Sequence, residues 1–168
     1  MVRVQTSDAS SLDTRSARCP ECGASYDAAG DSCSVRFEAL LALDHSRQEP
    51  WGSRHGRAFA AFALQHPKTY ASSVDRAWTV LHRIYVSGEE PAGVFAALIV
   101  SRGAVPANWV TPPRPMRMLA APAVTIADLA DFAPTSYPER LDAWCRAALA
   151  AWGAPAMAAA IPRAGGEP

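Results

Sequence analysis

Cys19-Pro20-Glu21-Cys22-Gly23, then Cys33, then His66 within Leu64-Gln65-His66-Pro67, is the pattern whose reading decides how this chain folds. Zinc takes about four deprotonated ligands in a tetrahedron. The two-residue spacing of Cys19 and Cys22 lets both sulfurs reach one ion. Gly23 and Gly30 permit the tight turns a metal loop requires. Cys33 stands just before the first predicted helix, where the positive end of the helix dipole favours a thiolate. The fourth ligand has to come from elsewhere, and the chain offers His45, His55, His66 and His82.

Helix geometry chooses among them. If the first two helices are antiparallel neighbours, one ascends from Cys33 to His45 and the next descends from His55 to His66. At 1.5 Å per residue, His45 and His55 then meet about 18 Å from Cys33, and His66 returns to its level. The predicted Zn²⁺ ligands are therefore Cys19, Cys22, Cys33 and His66. His55 is the fallback fourth ligand should the knuckle fold up over the hairpin. Two other readings stay open: a reduced knuckle packed without metal, and a redox CxxC, which lacks the surrounding βαβ pattern of thioredoxin-like proteins.

The composition narrows the function classes. A length of 168 residues suits one domain with one core, and nearly half of the residues are apolar, many of them alanine. Formal charge is zero, and no basic stripe marks a nucleic-acid binder. The nearest approach is Arg114-Pro115-Met116-Arg117 in a proline-rich segment. No apolar run approaches the roughly 20 residues of a membrane span, and the polar residues 1–16 lack the apolar centre of a signal peptide. The expected compartment is the cytoplasm, where clustered cysteines are metal ligands more often than disulfides.

Periodicity predicts an all-α fold: a small bundle of five to six helices with an N-terminal zinc-knuckle-like loop. Residues 1–17 read as disordered, 18–153 as a single helical domain with the knuckle at 18–33, and 154–168 as a flexible tail. The predicted helices cover 34–45, 53–66, 74–86, 91–103, a short turn from Thr125, and 138–152. Pro67 ends the second, and Pro91 opens the fourth. Expected inward faces are Phe37, Leu40 and Leu41; Phe59, Phe62 and Ala63; Val74, Ala77, Trp78, Leu81 and Tyr85; Val94, Phe95, Leu98 and Ile99; and Leu141, Trp144, Cys145, Ala148 and Trp152. Ser72 with Asp75 and Ser136 with Glu139 have capping-box spacing. Residues 104–124 carry five prolines and read as a long surface connection, a lid or an interface strap.

The same hairpin geometry gathers Asp44, His45, Glu49 and His55 at the end away from the cysteines. A histidine with carboxylates can hold a second metal or act as a general base, although polar residues around a turn are also what solvation alone would place there. Cys145 reads as an inert core thiol, His82 as a structural histidine, and Trp51, Trp109, Trp144 and Trp152 as volume-filling aromatics. No phosphate-binding glycine loop, Gly-x-Ser-x-Gly elbow or HExxH occurs.

The order of these residues resembles an uncharacterised bacterial family of small proteins classed as a domain of unknown function. Its members carry a Cys-x-x-Cys-Gly-Ala start, a third cysteine before a Phe-x-x-Leu-Leu helix, and a histidine-containing helix ending Tyr-x-Leu-Gln-His-Pro. The matching stretches are Cys19 to Ala24, Cys33 with Phe37 to Leu41, His55, and Phe62 to Pro67, with Phe62 where a tyrosine is expected; the closing helix, Leu141 to Trp152, also matches. The resemblance implies the architecture and no activity. Two functions follow from the residues. One is an accessory zinc domain with a closed Cys₃His site, meeting a protein partner through the 104–124 segment with Trp109 and Met116; it implies no nucleic-acid or membrane partner. The other is a metal-dependent enzyme using Asp44, His55 and Glu49.

Overall fold

The computed structural model describes residues 17–28, 30–129 and 131–155. Of residues 1–17, expected to be disordered, 1–16 lie outside them and Ala17 instead pairs in a strand; most of the expected flexible tail also lies outside them. Within them the fold is helical, as predicted. Two strands of two residues, β1 (Ala17–Arg18) and β2 (Ser25–Tyr26), pair antiparallel and close the knuckle. Five helices follow: α1 (Cys33–His45), α2 (His55–Gln65), α3 (Val74–Tyr85), α4 (Pro91–Val100) and α5 (Tyr137–Ala151), with 3₁₀ turns at Gly52–Arg54 and Ile126–Leu129.

The α2 helix is the axis of the fold. Four alanines, Phe62, Leu64 and Gln65 are buried around nearly its whole circumference. Small side chains let both α3 and α5 pack closely against it. The sequence assigned α2 one apolar face. In place of that face the structure has a central helix, because alanine at Ala58, Ala60, Ala61 and Ala63 fits against neighbours in every direction. The α1 helix lies at the edge of this arrangement and docks by stacking Phe37 on Phe62, with ring centroids 3.9 Å apart.

The predicted stripes of α3 and α5 are buried throughout. That of α4 is not: Val94 and Leu98 are buried, Phe95 is half-buried and Ile99 is 78% exposed. A helix that leans on the bundle through two positions a turn apart leaves its i+1 neighbours in solvent.

Neither predicted capping box forms. An N-cap side chain reaches back only from extended backbone, and Ser73 and Ser136, which occupy the N-cap positions of α3 and α5, are already helical, with φ/ψ of −110/−13° and −105/−16°. Asp75 instead accepts from Arg114 Nε at 2.8 Å. The side-chain cap that does form is at α1, where extended Ser32 accepts from the Val35 amide at 3.2 Å.

The 104–124 segment has no regular structure and is strapped across the outside of α3 and α5. Trp78 Nε1 donates to the Pro112 carbonyl, Arg83 lies over the Trp109 ring, Arg114 lies over the Trp152 ring, and the Leu119 amide donates to the Ala151 carbonyl.

Candidate metal centre

The Cys19-to-Ala24 turn is held by two backbone bonds, Gly23 N–H to the Cys19 carbonyl and Cys19 N–H to the Ala24 carbonyl. Gly23, at φ +80°, supplies the left-handed residue that this reversal needs. The turn directs the Cys19 and Cys22 sulfurs to one side. Cys33 opens α1 beneath them, and His66 follows the last turn of α2.

The ligand atoms of Cys19, Cys22, Cys33 and His66 all lie within 4.8 Å of one another. Cys22 Sγ is 3.4 Å from Cys33 Sγ, and Cys19 Sγ is 3.6 Å from His66 Nε2. A tetrahedral zinc site has edges of about 3.8 Å between sulfurs and about 3.5 Å between sulfur and nitrogen, given Zn–S near 2.3 Å and Zn–N near 2.0 Å. The four residues therefore fit one zinc-sized ion without rearrangement of the backbone. Cys22, Cys33 and His66 are buried, and Cys19 is half-exposed on the solvent side.

The surroundings suit a metal as well. His66 Nδ1 donates to the Phe62 carbonyl at 2.9 Å, which leaves Nε2 as the nitrogen that faces the sulfurs. Such an outer bond fixes tautomer and ring orientation in metal-binding histidines. The Phe62 ring stacks on the imidazole at 4.0 Å. Tyr26 O–H donates to Cys33 Sγ at 3.0 Å. The bond from the Cys22 thiol, followed by those from His66 and Tyr26, holds the Cys33 thiol well below its ordinary range, while the same bond pushes Cys22 up. Burial opposes the charged form of His66, yet its bond to Cys33 and its Phe62 bond raise it to about 9. The arrangement thus collects negative charge on sulfur and partners for it before any ion is considered.

Tyr26 and Glu21 belong to the site and were not singled out in the sequence. Glu21, inside the CxxC, accepts from the Lys68 amide at 2.7 Å and the Thr69 hydroxyl at 2.6 Å. It ties the knuckle to the turn after α2. Burial opposes its ionisation, but the Thr69 and Lys68 bonds outweigh burial and hold its carboxyl below the ordinary value. The third was Gln65: completely buried, it accepts from Trp144 Nε1 at 2.9 Å and donates to the Val124 carbonyl at 2.7 Å. A polar residue just before the predicted ligand was the available signal for it.

At the other end of the hairpin the structure brings part of the second constellation together. His55 Nδ1 lies 3.0 Å from Asp44 Oδ2, and the His45 and His55 rings are 5.7 Å apart. Glu49 does not join them. Its carboxylate accepts from Ser53 and Arg54. The fallback assignment of His55 to the cysteines also fails on position, since His55 pairs with Asp44 at the far end of α1. Among the described residues, Asp44, His45, Glu49 and His55 do not converge as three metal ligands, whereas the cysteine cluster does.

Cys145 is fully buried, with its thiol pushed up to about 12 by burial. His82 is buried against Trp78, and burial lowers its basicity. No helix of the described residues is long and apolar enough to cross a membrane.

A family described as a family of unknown function (DUF5946) matches residues 17–153. That span runs from the first strand of the knuckle to the end of α5. No curated protein and no solved structure matches the chain.

Proposed function

The chain belongs to that family of unknown function, and we propose that it is a zinc-binding accessory module of the bacterial cytoplasm whose closed Cys₃His site is structural. One observation carries the reading: four ligand atoms from the knuckle, the start of α1 and the end of α2 lie within 4.8 Å of one another. A site with four protein ligands leaves no open coordination position, which is the mark of structural rather than catalytic zinc. The bound ion would join the knuckle to the bundle, and its binding free energy would be folding free energy.

The module's role in this reading is to present a surface to a protein partner. The strap supports it: Val110, Met116 and Leu119 are exposed, Met116 completely, although the strap itself is anchored to α3 and α5. Trp109, expected in that surface, is half-buried under Arg83 and serves as an anchor more than a contact.

The test is elemental analysis of purified protein. One zinc per chain is expected, and metal should be lost when Cys22 and His66 are replaced together. Absence of bound metal, or content unchanged in that double variant, refutes the assignment.

The runner-up, a metal-dependent enzyme at Asp44 and His55, is favoured by the carboxylate-oriented imidazole but loses the Glu49 ligand it called for. What the geometry supports at that end is a histidine–carboxylate pair.

A further inference from the structure

The α4 helix carries no polar side chain in its ten residues. A helix apolar on every side is ordinarily buried on every side. Here Val94 and Leu98 are buried, while Ala92, Gly93, Ala96, Ile99 and Val100 are exposed, Ile99 at 78% and Val100 at 85%. At about 100° per residue these five exposed positions fall within one stripe roughly 120° wide. Scattered apolar side chains on a surface need no explanation, but a contiguous stripe marks a contact.

A cleft of about 740 Å³ between α2, α3 and α4 borders the stripe. Ala92 and Ile99 belong to both. Phe59, Ala77, Val80 and Phe95 are among its walls. Gly56 lets α4 sit this close to α2, since a Cβ there would collide with the Phe95 ring. Stripe and cleft together form an apolar surface along α4, a helix about 15 Å long.

The free charges on this surface are few and stand at its ends. Arg54 is paired with Glu49, His55 with Asp44 and Arg57 with Asp142. That leaves one anion and one cation of the lining without an ion pair among the described residues, Glu90 and Arg76. Glu90 stands at the N-cap of α4. Arg76 donates to the Gly103 carbonyl at 3.0 Å, just past the other end of the helix. A partner of uniform charge would be repelled at one end. A second copy of this surface, turned by a two-fold axis across the middle of α4, brings each Glu90 toward the other copy's Arg76. The two antiparallel helix dipoles then also attract.

We propose that α4 is a self-association face: two copies pack antiparallel α4 helices across a two-fold axis near Ala96, with Ile99 and Val100 of each against the apolar surface of the other. Ala92, Gly93 and Ala96 lack bulk, so the two backbones can approach closely. The apolar stripe supplies the affinity, and the two Glu90–Arg76 contacts set the antiparallel register. A contact of this extent lies at the low end of specific interfaces, so monomer and dimer should exchange at micromolar concentrations. The face lies outside the cysteine cluster and does not depend on the metal reading.

Sedimentation velocity on the full chain should show the mass of one chain giving way to that of two as concentration rises from about 1 to 500 μM. Ala96→Glu, at an exposed position, sets two like charges together at the axis. It should weaken association at least tenfold, with melting temperature, helix content and metal content unchanged. Glu90→Arg and Arg76→Glu each set like charges against each other at both ends, and each alone should weaken association about tenfold. An equimolar mixture of these two variants restores opposite charges at both ends and should dimerise as the unaltered chain does. A single-chain mass throughout the concentration range, indifference to Ala96→Glu, failure of the mixture to recover, or dissociation by Met116→Glu in the strap in place of Ala96→Glu would each overturn the proposal.

Discussion

Gln65 and Trp144 share a buried hydrogen bond of 2.9 Å between residues 79 positions apart. It explains why a glutamine stands directly before the histidine of the cysteine cluster. Each residue of Leu64-Gln65-His66-Pro67 makes a different attachment at the end of α2. The Leu64 carbonyl accepts from Trp152 Nε1 at 2.9 Å, Gln65 joins α5 to the strap, His66 reaches the cysteines, and Pro67 follows the last helical residues. Trp144 of α5, Trp152 just past its end and the knuckle thus converge on one helical turn. The tryptophans of the closing helix fill volume as the sequence implied, but their indole N–H groups also set the register of α5 on α2.

That convergence makes Gln65 costly to replace. Gln65→Leu keeps the volume and removes both bonds, leaving the Trp144 N–H buried and the half-buried Val124 carbonyl without their partner. A loss of about 2–4 kcal/mol is expected, since each orphaned group costs about 1–3 kcal/mol, read as a lower urea midpoint with an unchanged m-value. A loss under about 0.5 kcal/mol would show that the network relaxes and that Gln65 is not the joint described here.

The metal centre predicts coupled effects. Cys33→Ser removes the thiol that lies in the four-residue cluster and accepts from the Tyr26 hydroxyl at the first residue of α1. Metal content should fall to near zero, and the melting temperature should drop by roughly 10 °C, because about 3–4 kcal/mol corresponds to that shift in a chain of this size. Chelator treatment of the unaltered protein should reproduce the drop. The same chelator should leave the variant's melting curve where it was; a further fall would place the bound metal elsewhere.

Much of this was legible in the sequence because it rests on local periodicity. The cysteine spacing, the α3 and α5 stripes and the hairpin arithmetic that selected His66 all depend on helical rise and turn, which neighbouring residues reveal. What was missed depends on partners that helical spacing does not reveal. Glu21 finds Lys68 and Thr69 only after the chain has turned back. The fate of Glu49 was decided by Ser53 and Arg54, which lie closer to it than His55 does. The exposed Ile99 and the failed capping boxes share a cause: spacing fixes which residues share a face, but not how deeply a helix docks or whether its first residue is already helical.

The four cysteines should divide three to one toward a thiol reagent. Cys145 is fully enclosed, and burial pushes its thiol up to about 12, so its reactive thiolate is scarce and inaccessible, whereas Cys22 is raised chiefly by its bond to Cys33 and is released once Cys33 reacts. In native protein treated with chelator, three thiols should titrate, and the fourth should appear only on unfolding. Retention of Cys145 under native conditions can be read by mass spectrometry of labelled peptides. Labelling of Cys145 at the rate of the others would mean that α5 opens locally far more often than its burial implies.

The Asp44–His55 pair makes a prediction in pH. The Asp44 hydrogen bond raises His55 above its ordinary value against the opposing effect of burial. A group raised in the folded state contributes stability that is complete below its unfolded value, near 6.5, and is lost as pH rises through the raised folded value. His55 is partly exposed, so the effect on total stability is small, and the sensitive measurement is the titration itself. In an NMR titration the His55 ring should protonate above 6.5. Asp44→Asn keeps a hydrogen-bonding oxygen but removes the charge, and should move the midpoint down, while His66 and the metal content stay unchanged. An unmoved midpoint would mean that Asp44 orients the ring without stabilising its cation.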